Sequence, residues 1–149
     1  MPGIEFESAW EFQRGWTLFG NVTWLEGEDD TFLTSDPVAS REPLSRMMPL
    51  TGLLGVRWAP KKRMWVEVSG QFAERQNELS AREKSETQRI PPGPTPGYAV
   101  LSLQSGWQVN EDLNLRLSLE NLTDDDYRVH ESGQNEAGFG GIVSAELNL

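Results

Sequence analysis

Three groups of residues in this 149-residue chain have the types and spacing to do chemistry. Asp124-Asp125-Asp126 and Glu28-Asp29-Asp30 each set carboxylates side by side, the oxygen donors that hard divalent cations take. His130 is the only histidine, and an imidazole can ligate iron or haem. Each group also has a plainer reading. Aspartates at a loop opening cap turns, an acidic cluster in a long connection is a solvated face, and a lone loop histidine is expected to be exposed. No catalytic set accompanies them. The chain has no cysteine nucleophile, no histidine that pairs with a serine and an acid, no phosphate-cradling loop and no carboxylate pair that the sequence places at a glycosidase separation; paired acids across a polar strand face would be an ordinary feature of a lumen. The sequence therefore points to no enzyme, no catalytic residue, no cofactor and no assembled metal-ligand set.

The totals narrow the class further. A formal net charge of −10 opposes nucleic-acid binding, which needs a basic face to neutralise phosphates. With no cysteine, a disulfide framework and a thiolate metal site are excluded. Met1-Pro2-Gly3-Ile4-Glu5 lacks the charged and apolar blocks of a signal peptide. No apolar run approaches the ~18 residues of a membrane helix. The mean hydropathy of −0.52 does not exclude a membrane β-barrel, whose strands alternate lipid-facing and water-facing residues.

The elements that would position these groups are strands. Leu113, Leu115, Leu117 and Leu119 alternate with Asn114, Arg116, Ser118 and Glu120, so a strand here has one leucine face and one polar face. Similar alternation predicts strands over about 4–13, 16–24, 50–58, 64–72, 98–107 and 141–149. Gln13-Arg14-Gly15, Ala59 to Arg63, and Gln108 to Asp112 are short turns. Residues 25–49, 73–97 and 123–138 are long connections, the second closing in Pro91-Pro92-Gly93-Pro94-Thr95-Pro96-Gly97. Within it, Ser80-Ala81-Arg82-Glu83 has capping-box spacing and predicts a short helical turn. Seven strands whose connections alternate short and long form an up-and-down antiparallel meander, with all short turns at one end. That is the pattern of an outer-membrane barrel wall.

The aromatic residues fit the same pattern. Phe12, Trp16, Trp58, Trp65 and Trp107 lie by the short turns, and Trp24, Phe72, Tyr98, Tyr127 and Phe139 by the long-loop ends. Two such rings are expected at the two headgroup levels as girdles, with Trp16, Trp58 and Trp107 in one and Trp24, Phe72 and Tyr98 in the other. Trp65 has the wrong parity for the apolar face. On the opposite face Arg57, Glu67, Gln71, Arg116 and Glu120 are the candidates to line a lumen.

With these features on the page, the chain resembles the C-terminal part of the TonB-dependent outer-membrane receptors. The most specific match is Glu120-Asn121-Leu122-Thr123-Asp124-Asp125-Asp126-Tyr127-Arg128, similar to the family's NLTD-x-x-Y segment after the penultimate strand, followed by Ser132-Gly133. Supporting matches are Gly15 to Trp24, Thr95-Pro96-Gly97-Tyr98, and Pro43-Leu44-Ser45-Arg46 with Pro49-Leu50. Two departures are Phe139, near where relatives carry Pro-Gly-Arg, and Leu149, where barrels usually end in an aromatic residue.

The resemblance implies an all-β wall from a 22-stranded barrel around a plug, in the outer membrane of a Gram-negative-type bacterium. It also implies uptake of scarce solutes such as ferric siderophores, haem or cobalamin. Residues 1–149 are expected to supply only the last strands and three extracellular loops. The plug is absent, and the piece is expected to be inactive alone. Its implied partners are outer-membrane lipid and lipopolysaccharide, the remainder of the barrel and plug, and the TonB energy-coupling protein through that plug. The alternatives are a non-transporting β-sheet binding or structural module, and a soluble β-sandwich or calycin-like binder of an apolar ligand. Burial of the four leucines against a second layer would favour the soluble alternative.

Overall fold

The computed structural model describes residues 2–31, 40–86 and 93–148. In chain order the elements are β1 (Gly3–Gln13), β2 (Trp16–Leu25), β3 (Glu28–Thr31), β4 (Ser40–Pro43), β5 (Thr51–Lys61), β6 (Met64–Ala73), α1 (Ala81–Ser85), β7 (Tyr98–Gln108), β8 (Leu113–Glu120) and β9 (Gly140–Leu147). Seven of the strands form one antiparallel sheet in the order β1-β2-β5-β6-β7-β8-β9. It is a meander in which each sheet strand pairs with the next along the chain. Its short turns lie at one end and its long connections at the other. The expected end of the last strand at Leu149 and the Pro91-Pro92 part of the proline run lie outside the described residues.

The register carries the two-faced pattern across the sheet. One row runs Trp10, Leu18, Val56, Val68, Leu103, Leu119 and Gly141, each the cross-strand partner of the next. The next row on that face runs Ser8, Gly20, Leu54, Gly70 and Leu101. A one-residue slip at any pairing would turn a whole strand inside out, so the agreement of all six pairings with the alternation is a strong constraint.

Among the described residues no second layer covers this apolar face. Ile4, Phe6 and Trp10 are 64%, 61% and 63% exposed, and Leu54, Val68, Leu101 and Val143 also stand exposed. Leu113, Leu115, Leu117 and Leu119 are only half-buried, by their neighbours within the sheet. Among the described residues the buried apolar side chains are Ala73, Leu79 and Val100 alone. The chain exposes 10592 Å², against about 7,700 Å² for a compact folded monomer of this size. A sandwich or calycin would enclose its apolar residues between layers, so that alternative is excluded. The sheet is open, with β1 and β9 as its edges.

One element went unforeseen. The first long connection, read as an irregular polar segment, contains the hairpin β3–β4, which pairs Glu28 with Pro43 and Asp30 with Arg41. The Arg41 guanidinium lies 3.6 Å from Glu28 and 3.9 Å from Asp30, so the acidic cluster serves as the cross-strand partner of a cation.

Candidate functional site

The face opposite the apolar one carries the expected polar residues. Arg57 and Glu67 are direct cross-strand partners on β5 and β6, and their side chains meet at 3.0 Å. The Arg57 guanidinium also stacks on the Trp65 ring, 4.2 Å from its centroid. Trp65 therefore belongs to this face. It is not a girdle residue, because its indole lies flat over Gly106, its partner on β7. A Cβ at Gly106 would come within 2.7 Å of the Trp65 Cε2 atom. Phe19 lies over Gly55 in the same way. The polar face is thus mixed rather than wholly wet, because glycine opposite an aromatic residue leaves room for a ring to lie down. Gln71 reaches Tyr98, its Nε2 donating to the phenol oxygen at 3.4 Å. Arg116 and Glu120 are exposed along β8, and Glu120 accepts from Ser118 Oγ at 3.3 Å.

The expected girdle separates into two sets. Trp16 and Trp58 pair across β2 and β5 with ring centroids 5.8 Å apart, and Trp107 stands exposed opposite Met64 and Leu115 on the same apolar face. At the other end Trp24 and Phe72 share that face, with Phe72 lying over Gly52. Tyr98 departs from the expectation. It pairs with Ala73 on the polar side, and its ring packs 4.6 Å from that of Tyr127. Strand parity decides this, since its neighbour Ala99 occupies the apolar row.

The family-like motif is a structural clasp for the last long connection. Asn121, 3% exposed and with φ +49°, donates from Nδ2 to the carbonyls of Asp125 (2.9 Å) and Ala137 (3.2 Å). Its Oδ1 accepts from the Asp125 N–H at 3.1 Å. Leu122 N–H donates to Leu101 O at 2.9 Å, and Thr123 Oγ1 to Asp125 at 2.7 Å. Asp124 Oδ1 accepts from Phe139 N–H at 2.7 Å, an approach that requires the bare Cα of Gly138. These aspartates act as turn acceptors.

The chemistry that the sequence missed lies among the loops. Ser80 caps α1 as its spacing predicts, donating from N–H and Oγ to Glu83 Oε2, both at 2.7 Å. The same Glu83 carboxylate accepts from Arg46 N–H at 2.9 Å and stands 3.3 Å from His130 Nε2. Glu83 is 2% exposed and His130 5%, so the expectation of an exposed loop histidine is overturned. Three connections enclose the pair. Gln76 N–H and Thr95 N–H bridge to each other's carbonyls, Gln76 Nε2 donates to Met47 O at 2.6 Å, and Glu42 accepts from Ala81 N–H at 2.9 Å. Thr95 Oγ1 lies 2.9 Å from His130 Nδ1, and Arg46 pairs with Glu131 at 3.1 Å. Burial pushes the Glu83 carboxyl up, but hydrogen bonds from Ser80, Arg46 and His130 outweigh it and hold the group below its ordinary value. Among the described residues, Glu83, His130 and Glu131 are the one acid–histidine group whose ligand atoms all lie within 4.8 Å of one another. The capping-box spacing was the only signal in the sequence that marked Glu83.

Comparison with known proteins adds the following. A model of the family described as "TonB dependent receptor-like, beta-barrel" matches residues 2–122. No curated protein matches the sequence. Among solved structures, the copper transporter OprC superposes with a TM-score of 0.78 at 17% identity, over 97% of this chain and 22% of that one. The ferric-catecholate import receptor Fiu from E. coli K12 gives 0.65 at 20% identity, over 97% and 20%. The siderophore receptor PiuA from Acinetobacter baumannii gives 0.64 at 15% identity, over 97% and 21%. The chain spans about a fifth of the length of these receptors.

Proposed function

Because this chain belongs to the TonB-dependent receptor β-barrel family, we propose that it forms the C-terminal wall and three extracellular loops of a receptor that imports scarce solutes. Its place is the bacterial outer membrane, and it is a transport protein rather than an enzyme. The apolar face is the lipid face, and its aromatic rims sit at the headgroup levels, in contact with lipid and lipopolysaccharide. The polar face bearing Arg57, Glu67, Gln71, Arg116 and Glu120 lines the lumen against a plug. β1 and β9 pair with further strands of a barrel, which removes the unsatisfied edges that lipid would not tolerate. Seven strands enclose no passage, so the isolated sheet does not transport. Uptake requires the rest of the barrel, the plug and the TonB protein acting on it. The cargo class is a metal chelate such as a ferric siderophore, haem or cobalamin. The observation that carries this reading is an exposed apolar sheet face, ringed by aromatics at both ends, on which none of the described residues packs as a second layer.

The test has two parts. The chain should fractionate with outer membrane and require detergent for extraction. Deleting the reading frame that encodes it should abolish uptake of at least one radiolabelled chelate in an energised cell. A chain recovered monodisperse without detergent would refute the wall. Unchanged uptake of every chelate class would refute the transport role.

A further inference from the structure

We infer that Glu83, His130 and Glu131 form a resident site for a borderline divalent transition-metal ion such as Zn2+, which clasps the second and third long connections together. Two of the three ligands are already spaced for it. Ligand atoms about 2.0–2.1 Å from a tetrahedral Zn2+ stand roughly 3.3 Å from one another. Glu83 Oε1 and His130 Nε2 are 3.3 Å apart, and a Glu131 carboxylate oxygen lies within 4.8 Å of both. A mixed imidazole and carboxylate set suits such an ion better than the all-oxygen set that Ca2+ or Mg2+ prefers.

The surroundings orient the ligands. Thr95 Oγ1, 2.9 Å from His130 Nδ1, holds the far ring nitrogen: when an ion displaces the Nε2 proton that faces Glu83, the neutral ring carries its proton on Nδ1 and donates it to Thr95. Glu83 Oε2 is occupied by Ser80, while Oε1, which accepts one bond from Arg46 N–H at 2.9 Å, keeps a second lone pair for the site. Arg46 grips Glu131 Oε2, so one carboxylate oxygen is held from outside. Glu131 and Arg46 both adopt left-handed backbone, φ +67° and +66°, a strained conformation retained where a site demands it. The Glu131 side chain is 18% exposed and provides the way in. The ion is structural and separate from any imported cargo.

The chelator-stripped chain in detergent is titrated with Zn2+ against a chromophoric chelator, and Co2+ substitution reports geometry. One equivalent is expected to bind, with a tetrahedral Co2+ spectrum. His130→Ala should weaken binding about 100-fold, and Thr95→Val about 10-fold with the spectrum retained. Should His130→Ala fail to fold, Glu131→Gln, at a partly exposed side chain, takes its place. No stoichiometric binding, or equal affinity in wild type, Glu131→Gln and Thr95→Val, would overturn the site. Binding is read directly, so its failure would leave the transport reading intact, and lost uptake would leave the site intact.

Discussion

Replacing Glu83 with glutamine removes the charge at the centre of the loop cluster while keeping its shape. The wild-type carboxylate accepts from Ser80 N–H, Ser80 Oγ and Arg46 N–H and faces His130, with 2% of its surface exposed. A glutamine amide can accept through only one atom, so its NH2 group must confront a donor. Breaking a buried, hydrogen-bonded charge costs about 3–5 kcal/mol. The lower end suits a cluster at a loop surface, and about 3 kcal/mol corresponds to opening on the order of 100-fold more often.

Hydrogen exchange at the amides of Arg46 and of residues 81–86 measures this directly. The pH dependence supplies the sign. The folded-state pKa of Glu83 is depressed, so its stabilisation is complete above the ordinary value of 4.5 and is lost as pH falls through the lower folded value. Wild-type protection at these amides should therefore fall in acid below that value, and Glu83→Gln should lose about 100-fold in protection at neutral pH with the acid dependence gone. If Glu83→Gln keeps wild-type protection at neutral pH, or the same acid profile, the reasoning is wrong.

Other substitutions probe the two faces. Val68→Arg, at mid-strand on the apolar face, should cost about 2–4 kcal/mol in folding into bilayers, measured by denaturant titration in vesicles. Equal stability would mean that this face does not meet lipid. Gly106→Ala pushes a methyl group into the Trp65 indole, and overpacking of about 1–3 kcal/mol should shift the tryptophan emission as the ring is displaced. Arg57→Ala removes the Glu67 ion pair and the Trp65 stack. With Arg57 45% exposed, the loss should be no more than about 1 kcal/mol, seen as a small fall in the denaturation midpoint.

The sequence by itself determined the wall. Alternation at period two is a local property, because each strand residue points opposite to its neighbour whatever lies across the sheet. The leucines of β8, the two faces and the short-long order of connections were therefore readable one strand at a time. The Ser80–Glu83 capping box was local in the same sense, being a contact across three residues. Tertiary structure decided where the rings and the loop residues went. Parity alone puts Trp65, Phe19 and Tyr98 on the polar face, but only the register set Gly106 and Gly55 opposite the first two, so that their rings lie against the sheet, and brought Tyr98 to Tyr127. His130 became buried because Thr95 and Glu83, 35 and 47 positions away in the chain, close around it from another connection. Burial of that kind is a sum over distant segments, and no spacing within residues 121–139 encodes it.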